Sequence, residues 1–247
     1  MSIKSTARSS LQSAGLYEQA SRFWMWLEPR SSKLVRAATG KNGRLTSRYL
    51  AAHASPRLHI GSGDNHLAGW LNTELNPRGD EIYLDATHPF PFDPNTFELI
   101  YTEHMIEHIG YADGVKMIAE CYRVMRPAGT LRVVTPDLAF LRALLDGRPH
   151  PLRADYLAFY QRHNRLGDPF DETHLVNHFV RAWGHQFIYD RDTLLGLLRA
   201  AGFQSVEVRE LNESPVPELR GLAKLDRMPE GFLEMESLTV EGTKPRA

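Results

Sequence analysis

The stretch RLHIGSGDNHLAGWLNTELN, Arg57–Asn76, decides the fold class. A short apolar run, Arg57–Ile60, leads into Gly61-Ser62-Gly63, and a strand followed by a glycine-rich turn is typical of a nucleotide-binding loop. The third glycine of the G-x-G-x-x-G pattern is missing, and a strand-like segment, Trp70–Leu75, begins where a full helix is expected. A nicotinamide-binding domain would need both features, so this pattern disfavours that class.

Short apolar runs alternate with helical patterns from Arg57 onward, which predicts an α/β fold. We expect a doubly wound, mainly parallel, seven-stranded sheet with helices on both faces. The predicted strands are Arg57–Ile60, Trp70–Leu75, Glu81–Ala86, Phe97–Thr102, Thr130–Thr135, Ser205–Leu211 and Ser237–Thr243.

Two segments have helical periodicity. Asp113–Arg126 is predicted to begin at an N-cap, Asp113, and to end before Pro127–Gly129. Asp192–Ala201 is the second helix, with Gly202 as its C-terminal stop. The predicted buried face of the first helix consists of Val115, Ile118, Ala119, Tyr122 and Met125.

Charge divides the 247-residue chain into two parts. Its net charge is −1, but residues 1–57 hold ten Lys and Arg against Glu18 and Glu28, about +8, which leaves about −9 for the rest. We expect a basic helical extension over 1–55 and one catalytic domain over 56–247. The extension could bind an anionic surface or be a solvated helical face, and its aromatic cluster, Phe23–Leu27, could pack on the domain or bring the protein to a membrane.

Several classes of protein are disfavoured by composition. Cys121 is the one cysteine, which rules out a disulfide framework and is expected to be a packed thiol. We find no apolar run near the roughly 18 residues of a membrane span and no signal-peptide pattern. The expected location is cytoplasmic.

Two acids are placed where an adenosine would need them. Glu74 ends the second predicted strand, 13 residues after Gly61, and could accept hydrogen bonds from two ribose hydroxyls. Asp85 ends the third and could accept one from an adenine amino group. Since parallel strands end at one edge of the sheet, the loop and both acids outline an adenosine site there. Alternatively, the two acids are solvated strand ends.

The chain resembles the class I S-adenosylmethionine-dependent methyltransferases, specifically the type 11-like small-molecule and sugar branch. A Gly-Trp pair shortly after the loop replaces the usual first helix in that branch. The stretches that carry the resemblance are LHIGSGDNHLAGWLNTEL, DATHPFPFDPNTFELIYTEHMIEHI, ECYRVMRPAGTLRVVTPDL, GHQFIYDRDTLLGLLRAAGF and SLTVEGTK.

The resemblance implies S-adenosylmethionine as cofactor and S-adenosylhomocysteine as product. It assigns Gly61-Ser62-Gly63 to the methionine side, Glu74 to the ribose, and Asp85 with Ala86 to the adenine. Many relatives have Cys in place of Ser62 and Asp in place of Glu74, and both differences are mild.

Histidines supply the candidate bases. His104 follows the fourth strand, close to where the transferred methyl should lie, and would take the proton of a hydroxyl acceptor. His108 is four residues later and would share a face with His104 if the stretch is helical; the pair could also bind metal or be structural. His185 is the second candidate base.

A segment of about 50 residues, 138–189, is too long for an ordinary connection and is expected to be a substrate or lid insert. Its acids and histidines could hold Mg²⁺, although a metal is possible rather than predicted. We expect the acceptor pocket and lid to include Asn177, Arg181, Trp183 and His185. The polar set at this insert is Asp137, Asp168, Asp171, Glu172, His174, His178 and His185.

Three functions compete. The leading one is O-methylation of a small-molecule or glycan acceptor. A nucleic-acid methyltransferase using the basic extension is less favoured, because the domain is acidic and we find no Asn-Pro-Pro-Tyr-type motif. The third is a non-catalytic protein that binds S-adenosylmethionine.

Overall fold

The computed structural model describes residue 36 and residues 39–164 and 166–246. Within the predicted basic extension it describes helix α1, Lys41–Ala52. The aromatic cluster Phe23–Leu27 and five of the ten Lys and Arg of residues 1–57 lie outside the described part of the chain. Contact with a membrane or a nucleic acid through that segment therefore stays a prediction.

Seven strands form one sheet in the order β3-β2-β1-β4-β5-β7-β6. The first five are parallel, and β7 runs antiparallel between β5 and β6. This confirms the predicted seven-stranded, mainly parallel sheet. The strands are β1 Arg57–Ile60, β2 Leu71–Glu74, β3 Ile82–Tyr83, β4 Phe97–Glu103, β5 Met125–Pro136, β6 Gln204–Arg209 and β7 Ser237–Thr243.

Both faces of the central strands are covered, as expected for the middle of a parallel sheet. In β4, Ile100 packs with the core beneath α2, Tyr111–Val124, and α6, Arg191–Ala200. Its neighbour Tyr101 points to the other face, where Trp70 and Leu219 of a 3₁₀ turn cover it. The rigid centre formed in this way fixes the strand ends that carry the site.

Helix α2 corrects three details of the prediction. It begins after Gly110, while Asp113, the predicted N-cap, instead pairs with Lys116 at 2.7 Å. Val115 is 41% exposed, and Ala119 is also exposed, so the predicted face was wrong at these two positions, whereas Ile118 and Met125 are buried as predicted. The observed buried set is Gly114, Met117, Ile118, Cys121 and Val124. The prediction missed the part of the buried face that Gly114 and Cys121 form.

The end of α2 was also predicted too late. The helix stops at Val124, and Pro127–Gly129 belong to the first part of β5. Lys244 donates to the carbonyls of Tyr122 and Met125, both at 2.8 Å, and so satisfies C-terminal carbonyls of this helix. A cap donated from 119 or more residues away leaves no local sequence signal.

The third strand is much shorter than predicted. It pairs only at Ile82 and Tyr83, because its sole neighbour β2 ends at Glu74, opposite Tyr83. Helix α6 begins one residue earlier than predicted, with Asp190 as N-cap to the Thr193 amide at 2.9 Å. Burial of Cys121 is confirmed.

The 138–189 insert contains three helices: α3 Leu138–Leu145, α4 Arg153–His163 and α5 Glu172–Phe179. They pack around an apolar cluster of their own, which Phe232 of the short helix α7, Phe232–Glu236, completes. The insert is thereby joined to the segment that leads into β7. No described helix is long and apolar enough to cross a membrane.

Candidate active site

The glycine loop follows β1 at the carboxyl edge of the sheet. Gly61 and Gly63 have φ of +68° and +49°, which side chains other than glycine rarely adopt. A Cβ atom on Gly61 would collide with the side chain of Met105, which comes from the turn after β4. Within the described residues, the buried Ser62 hydroxyl has no hydrogen-bond partner. An open backbone and an unpaired buried hydroxyl fit a polar ligand at this loop.

Glu74 lies against the same loop. Its carboxylate accepts from the Gly63 amide at 3.0 Å and the Leu75 amide at 2.7 Å. Asp85 follows the short β3, and its carboxylate accepts locally from Thr87 and contacts His88 Nδ1 at 3.0 Å. The structure therefore places both acids along one edge, as predicted. Their roles toward the cofactor stay predictions, as do those of the loop and of Ala86.

His104 is held between a carboxylate and a hydroxyl. Its Nδ1 lies 3.4 Å from Glu107 Oε1, and its Nε2 lies 3.1 Å from Ser237 Oγ. Its backbone has φ of +47°, a strained conformation for a histidine, and such strain is concentrated at functional sites. The condition for a face shared with His108 is not met, since only Ile106–His108 form a 3₁₀ turn and His104 precedes it.

Electrostatic interactions couple the protonation of His104 to that of Glu107. Burial alone would raise the pKa of the Glu107 carboxyl, but contact with His104 and the charges of His104 and His108 hold that pKa below its ordinary value. Burial likewise opposes protonation of His104, yet its contacts with Glu107 and the charge of Glu236 raise the pKa of His104 above the ordinary value. Glu107 is thus an ionised, fully buried partner that orients the imidazole.

A cleft of about 390 Å³ opens beside this pair. It lies between the turn after β4, the end of the insert and the segment before β7. Its lining residues are His104, Glu107, His108, Pro136, Tyr160, Phe179, Trp183, His185, Arg227, Met228 and Glu236.

The insert contributes aromatic residues and His185 to the cleft rather than its acids. Trp183 is 46% exposed and contacts the rings of Tyr160, Phe179 and His185. His185 Nδ1 bonds to the Phe179 carbonyl at 2.7 Å, and burial lowers its pKa. His185 is therefore placed in the cleft with His104, as expected for the second candidate base.

The acids of the insert have structural partners instead, which corrects the interpretation of them as possible metal ligands at the site. Asp137 caps α3 through the Ala139 amide, and Asp171 caps α5 through the His174 amide. Glu172 pairs with Arg153 at 2.5 Å. Local capping is a common use of Asp near helix starts, and the sequence alone did not separate it from metal binding.

Other members of the expected set stay outside the cleft. Asp168 accepts from Gln161 at 2.6 Å, and His174 pairs with Asp171. Asn177 bonds to the Thr173 carbonyl within α5, and neither it nor Arg181 lines the cleft. His178 packs its ring against Trp183 at 4.8 Å and acts as a support for that side chain.

The sequence did not reveal several residues of the site, among them Glu103 and Arg227. Arg227 pairs with Glu103, which ends β4, at 2.9 Å. The Glu103 carboxylate also accepts from the Tyr101 hydroxyl at 3.0 Å and from Asn65 at 3.3 Å. Glu103 could have been found by the same reasoning as Glu74, as an acid at a strand end. Arg227 carries no such signal, because only the tertiary fold brings it to the cleft.

Comparison with known proteins gives a direct match. Residues 69–133 match the model of a family described as methyltransferase domain. A comparison with curated proteins returned no match.

Solved structures with similar folds are distant. A SAM-dependent methyltransferase from Archaeoglobus fulgidus is 15% identical, with 86% of this chain and 94% of that chain covered and a TM-score of 0.48. A possible histamine N-methyltransferase from Thermotoga maritima is 17% identical, with 90% of this chain and 99% of that chain covered and a TM-score of 0.45. Phosphoethanolamine N-methyltransferase 2 from Haemonchus contortus is 14% identical, with 84% of this chain and 53% of that chain covered and a TM-score of 0.43.

These distant likenesses assign no acceptor, and membership of the small-molecule and sugar branch stays a prediction. The domain match covers β2 to β5, and the sheet supplies the remaining strands in the order described above. The resemblance seen in the sequence is confirmed at the level of the superfamily. Residues 69–133 therefore match a methyltransferase domain, and the seven-stranded sheet agrees with the S-adenosylmethionine-dependent methyltransferase fold expected from the sequence.

Proposed function

We propose that the protein methylates an oxygen atom of a small-molecule or glycan acceptor. The observation that carries this proposal is His104, held by Glu107 and Ser237 at the wall of a cleft beside the glycine loop. When bound, S-adenosylmethionine supplies a methyl group on a positively charged sulfur atom. The residues of this chain then have to position the acceptor and accept its proton.

The proton acceptor in this proposal is His104. A hydroxyl becomes a good nucleophile toward carbon as its proton is removed, and histidine is the usual side chain for that transfer near neutral pH. Glu107 engages Nδ1, so Nε2 is the nitrogen available to the acceptor. An acceptor hydroxyl would take the position that Ser237 Oγ has now, 3.1 Å from Nε2.

The lining of the cleft favours a polyhydroxylated acceptor. Trp183, which is 46% exposed, offers aromatic surface on which the apolar face of a sugar ring can stack. Arg227, whose side chain is 38% exposed, adds a polar group for hydroxyl recognition. The turn after β4 forms a second wall of the cleft, and His104 lies in that wall.

The cofactor would be held at the neighbouring edge. Gly61-Ser62-Gly63 would contact its methionine part, Glu74 the ribose, and Asp85 with Ala86 the adenine. The contact between Gly61 and Met105 supports this arrangement, because it brings the loop against the turn that carries His104.

The first test is calorimetric titration of S-adenosylmethionine and S-adenosylhomocysteine. We expect the wild type to bind both, and Glu74→Ala and Asp85→Ala to bind them more than about tenfold more weakly, since each loses a charged hydrogen-bond acceptor. Asp80→Ala is the matched control, because Asp80 is exposed and lies 3.9 Å from Arg48. A folded wild type that binds neither compound would overturn the proposal.

The second test concerns the acceptor. Glycans and phenols are screened for methyl transfer, and His104→Gln is measured on any substrate found. We expect kcat to fall by about 10²–10⁴ with cofactor affinity within about twofold of wild type, as for loss of a general base. Methylation that occurs on nitrogen, or that is unaffected by His104→Gln, would contradict the proposed chemistry.

A further inference from the structure

The geometry points to a divalent metal site at the rim of the acceptor cleft. We propose that Glu107, His108 and His185 together bind one divalent transition-metal ion. Each side chain offers one ligand atom, and these atoms all lie within 4.8 Å of one another. A metal ion needs ligand atoms at about 2.0–2.2 Å, so modest side-chain adjustments would close the set around it.

The Glu107 carboxylate presents its Oε1 atom to this cluster. Its Oε2 accepts from the Thr135 hydroxyl at 3.1 Å, which fixes the plane of the group. Oε1 lies 3.4 Å from His104 Nδ1 and 3.9 Å from His108 Nε2, and within the described residues no donor reaches it with hydrogen-bond geometry. A fully buried carboxylate oxygen without a donor is costly, and a cation would compensate it.

His185 has the arrangement of a preformed ligand. Its Nδ1 donates to the Phe179 carbonyl at 2.7 Å, which leaves Nε2 with a lone pair. Metal-binding histidines almost always donate their other nitrogen to a carbonyl or carboxylate in this way. The ring of His108 lies 4.9 Å from that of His185 between centroids.

Backbone hydrogen bonds hold the two ligand-bearing segments together. The Gln186 amide donates to the Glu107 carbonyl at 2.7 Å, and the Phe187 amide donates to the same oxygen at 3.2 Å. The Gln186 side chain donates to the His108 carbonyl at 2.7 Å. The end of the insert is thereby fixed against the turn after β4, so the set does not depend on surface side chains meeting by chance.

The donor set indicates the class of metal. Two imidazoles and one carboxylate suit Zn²⁺, Mn²⁺, Fe²⁺ or Co²⁺ better than Mg²⁺ or Ca²⁺, which prefer oxygen ligands. Three protein ligands leave open coordination positions, as in catalytic rather than structural sites. Because all three residues line the cleft, those positions would be accessible to an acceptor.

The role suggested for the metal rests on the proposed function, whereas the site itself does not. Open positions beside His104 would orient neighbouring hydroxyls of a polyhydroxylated acceptor and favour loss of a hydroxyl proton to the base. The metal would keep its oxidation state throughout. The competing interpretation is a metal-free cluster in which Glu107 only orients His104.

The test measures metal binding directly. Full-length protein is freed of metal with a chelator and titrated with Co²⁺, and visible absorption reports the number and type of ligands. Zn²⁺ binding is measured by competition and by calorimetry. We expect one ion per chain, and more than about tenfold weaker binding in His108→Asn and in His185→Asn.

His174→Asn is the matched control. His174 is an exposed histidine of the same insert that pairs with Asp171 outside the cleft, so we expect its metal binding to match wild type. Circular dichroism and S-adenosylhomocysteine binding establish that each variant is folded. Absence of stoichiometric metal binding, or equal loss in His174→Asn, would overturn the proposal.

The outcomes separate this proposal from the proposed function. Methyl transfer that persists in chelator, with no metal bound by the folded protein, would overturn the metal site and leave the methyltransferase assignment intact. One ion held by His108 and His185 in a protein that binds no S-adenosylmethionine would support the metal site and overturn the proposed reaction.

Discussion

At the scale of single residues, burial without a carboxylate partner lowers the pKa of the His59 imidazole. His59 in β1 is 1% exposed, with Nδ1 3.1 Å from Asn72 Oδ1 and its ring 5.0 Å from that of Tyr101. Burial lowers its pKa to about 4, the charge of His66 adds to this, and the bond to Asn72 only partly opposes it. The interior around His59 therefore holds the imidazole in its neutral form.

This pKa predicts an acid-dependent loss of stability. Between pH values of about 6.5 and 4 the unfolded chain binds a proton on His59 that the folded chain does not bind, so acidification favours unfolding. His59 should contribute a loss of up to about 3 kcal/mol in the free energy of unfolding across that window, and nothing above it. Urea unfolding at a series of pH values should show a shallower decline for His59→Asn than for wild type. Parallel curves would contradict the prediction.

At the scale of elements, close backbone approach decides where the chain needs glycine. Gly129 in β5 is the clearest case outside the glycine loop. A Cβ atom there would lie 2.5 Å from the Glu98 carbonyl oxygen and 2.7 Å from Met125 Cγ. The register shift between β4 and β5, at Phe97 and Leu99, brings these backbones together.

Gly129→Ala should therefore lower the free energy of unfolding by about 1–3 kcal/mol, the usual cost of forcing an extra atom into a packed region. Gly196→Ala is the matched control, because Gly196 lies in α6 with no atom within 4 Å of its added Cβ. That change should stabilise the helix by up to about 1 kcal/mol. Denaturant unfolding of both variants measures their free energies of unfolding. Changes of the same sign in the two variants would contradict the prediction.

At the scale of the whole molecule, one buried carboxylate joins the insert to the sheet domain. Glu236, 4% exposed at the end of α7, accepts from the hydroxyls of Tyr156 and Tyr160, both on α4. It directly precedes Ser237, the partner of His104. The position of the insert and that of the candidate base are therefore mechanically linked.

Tyr160→Phe should loosen this junction. Removing one donor from a buried carboxylate should cost about 1–3 kcal/mol, and hydrogen exchange should rise over 138–189 more than in the sheet. Tyr122→Phe, which changes a partly buried tyrosine packed on Phe203, should leave exchange in the insert unchanged. Uniform faster exchange across the whole chain would argue against a local junction.

The amino-acid sequence by itself determined the sheet and the edge of the sheet at which the candidate cofactor residues lie. Strand patterns in β1, β4 and β7 are local, since alternation and burial are properties of four to seven neighbouring residues. The short connection after Gly61-Ser62-Gly63 was likewise visible, because it depends on glycine and on spacing. The predicted cofactor residues all lie at or just after the ends of strands that meet at one edge of the sheet.

Only the tertiary structure decided which residues form the acceptor cleft. Arg227, Ser237 and Glu236 reach His104 from more than 120 residues away in the chain, and contacts at such separations leave no periodicity to detect. The same holds for the meeting of Glu107, His108 and His185, which depends on how the insert closes back on the turn after β4. The acids of the insert were overvalued for the converse reason: a carboxylate near a helix start is satisfied locally by backbone amides, and the sequence does not show which way it points.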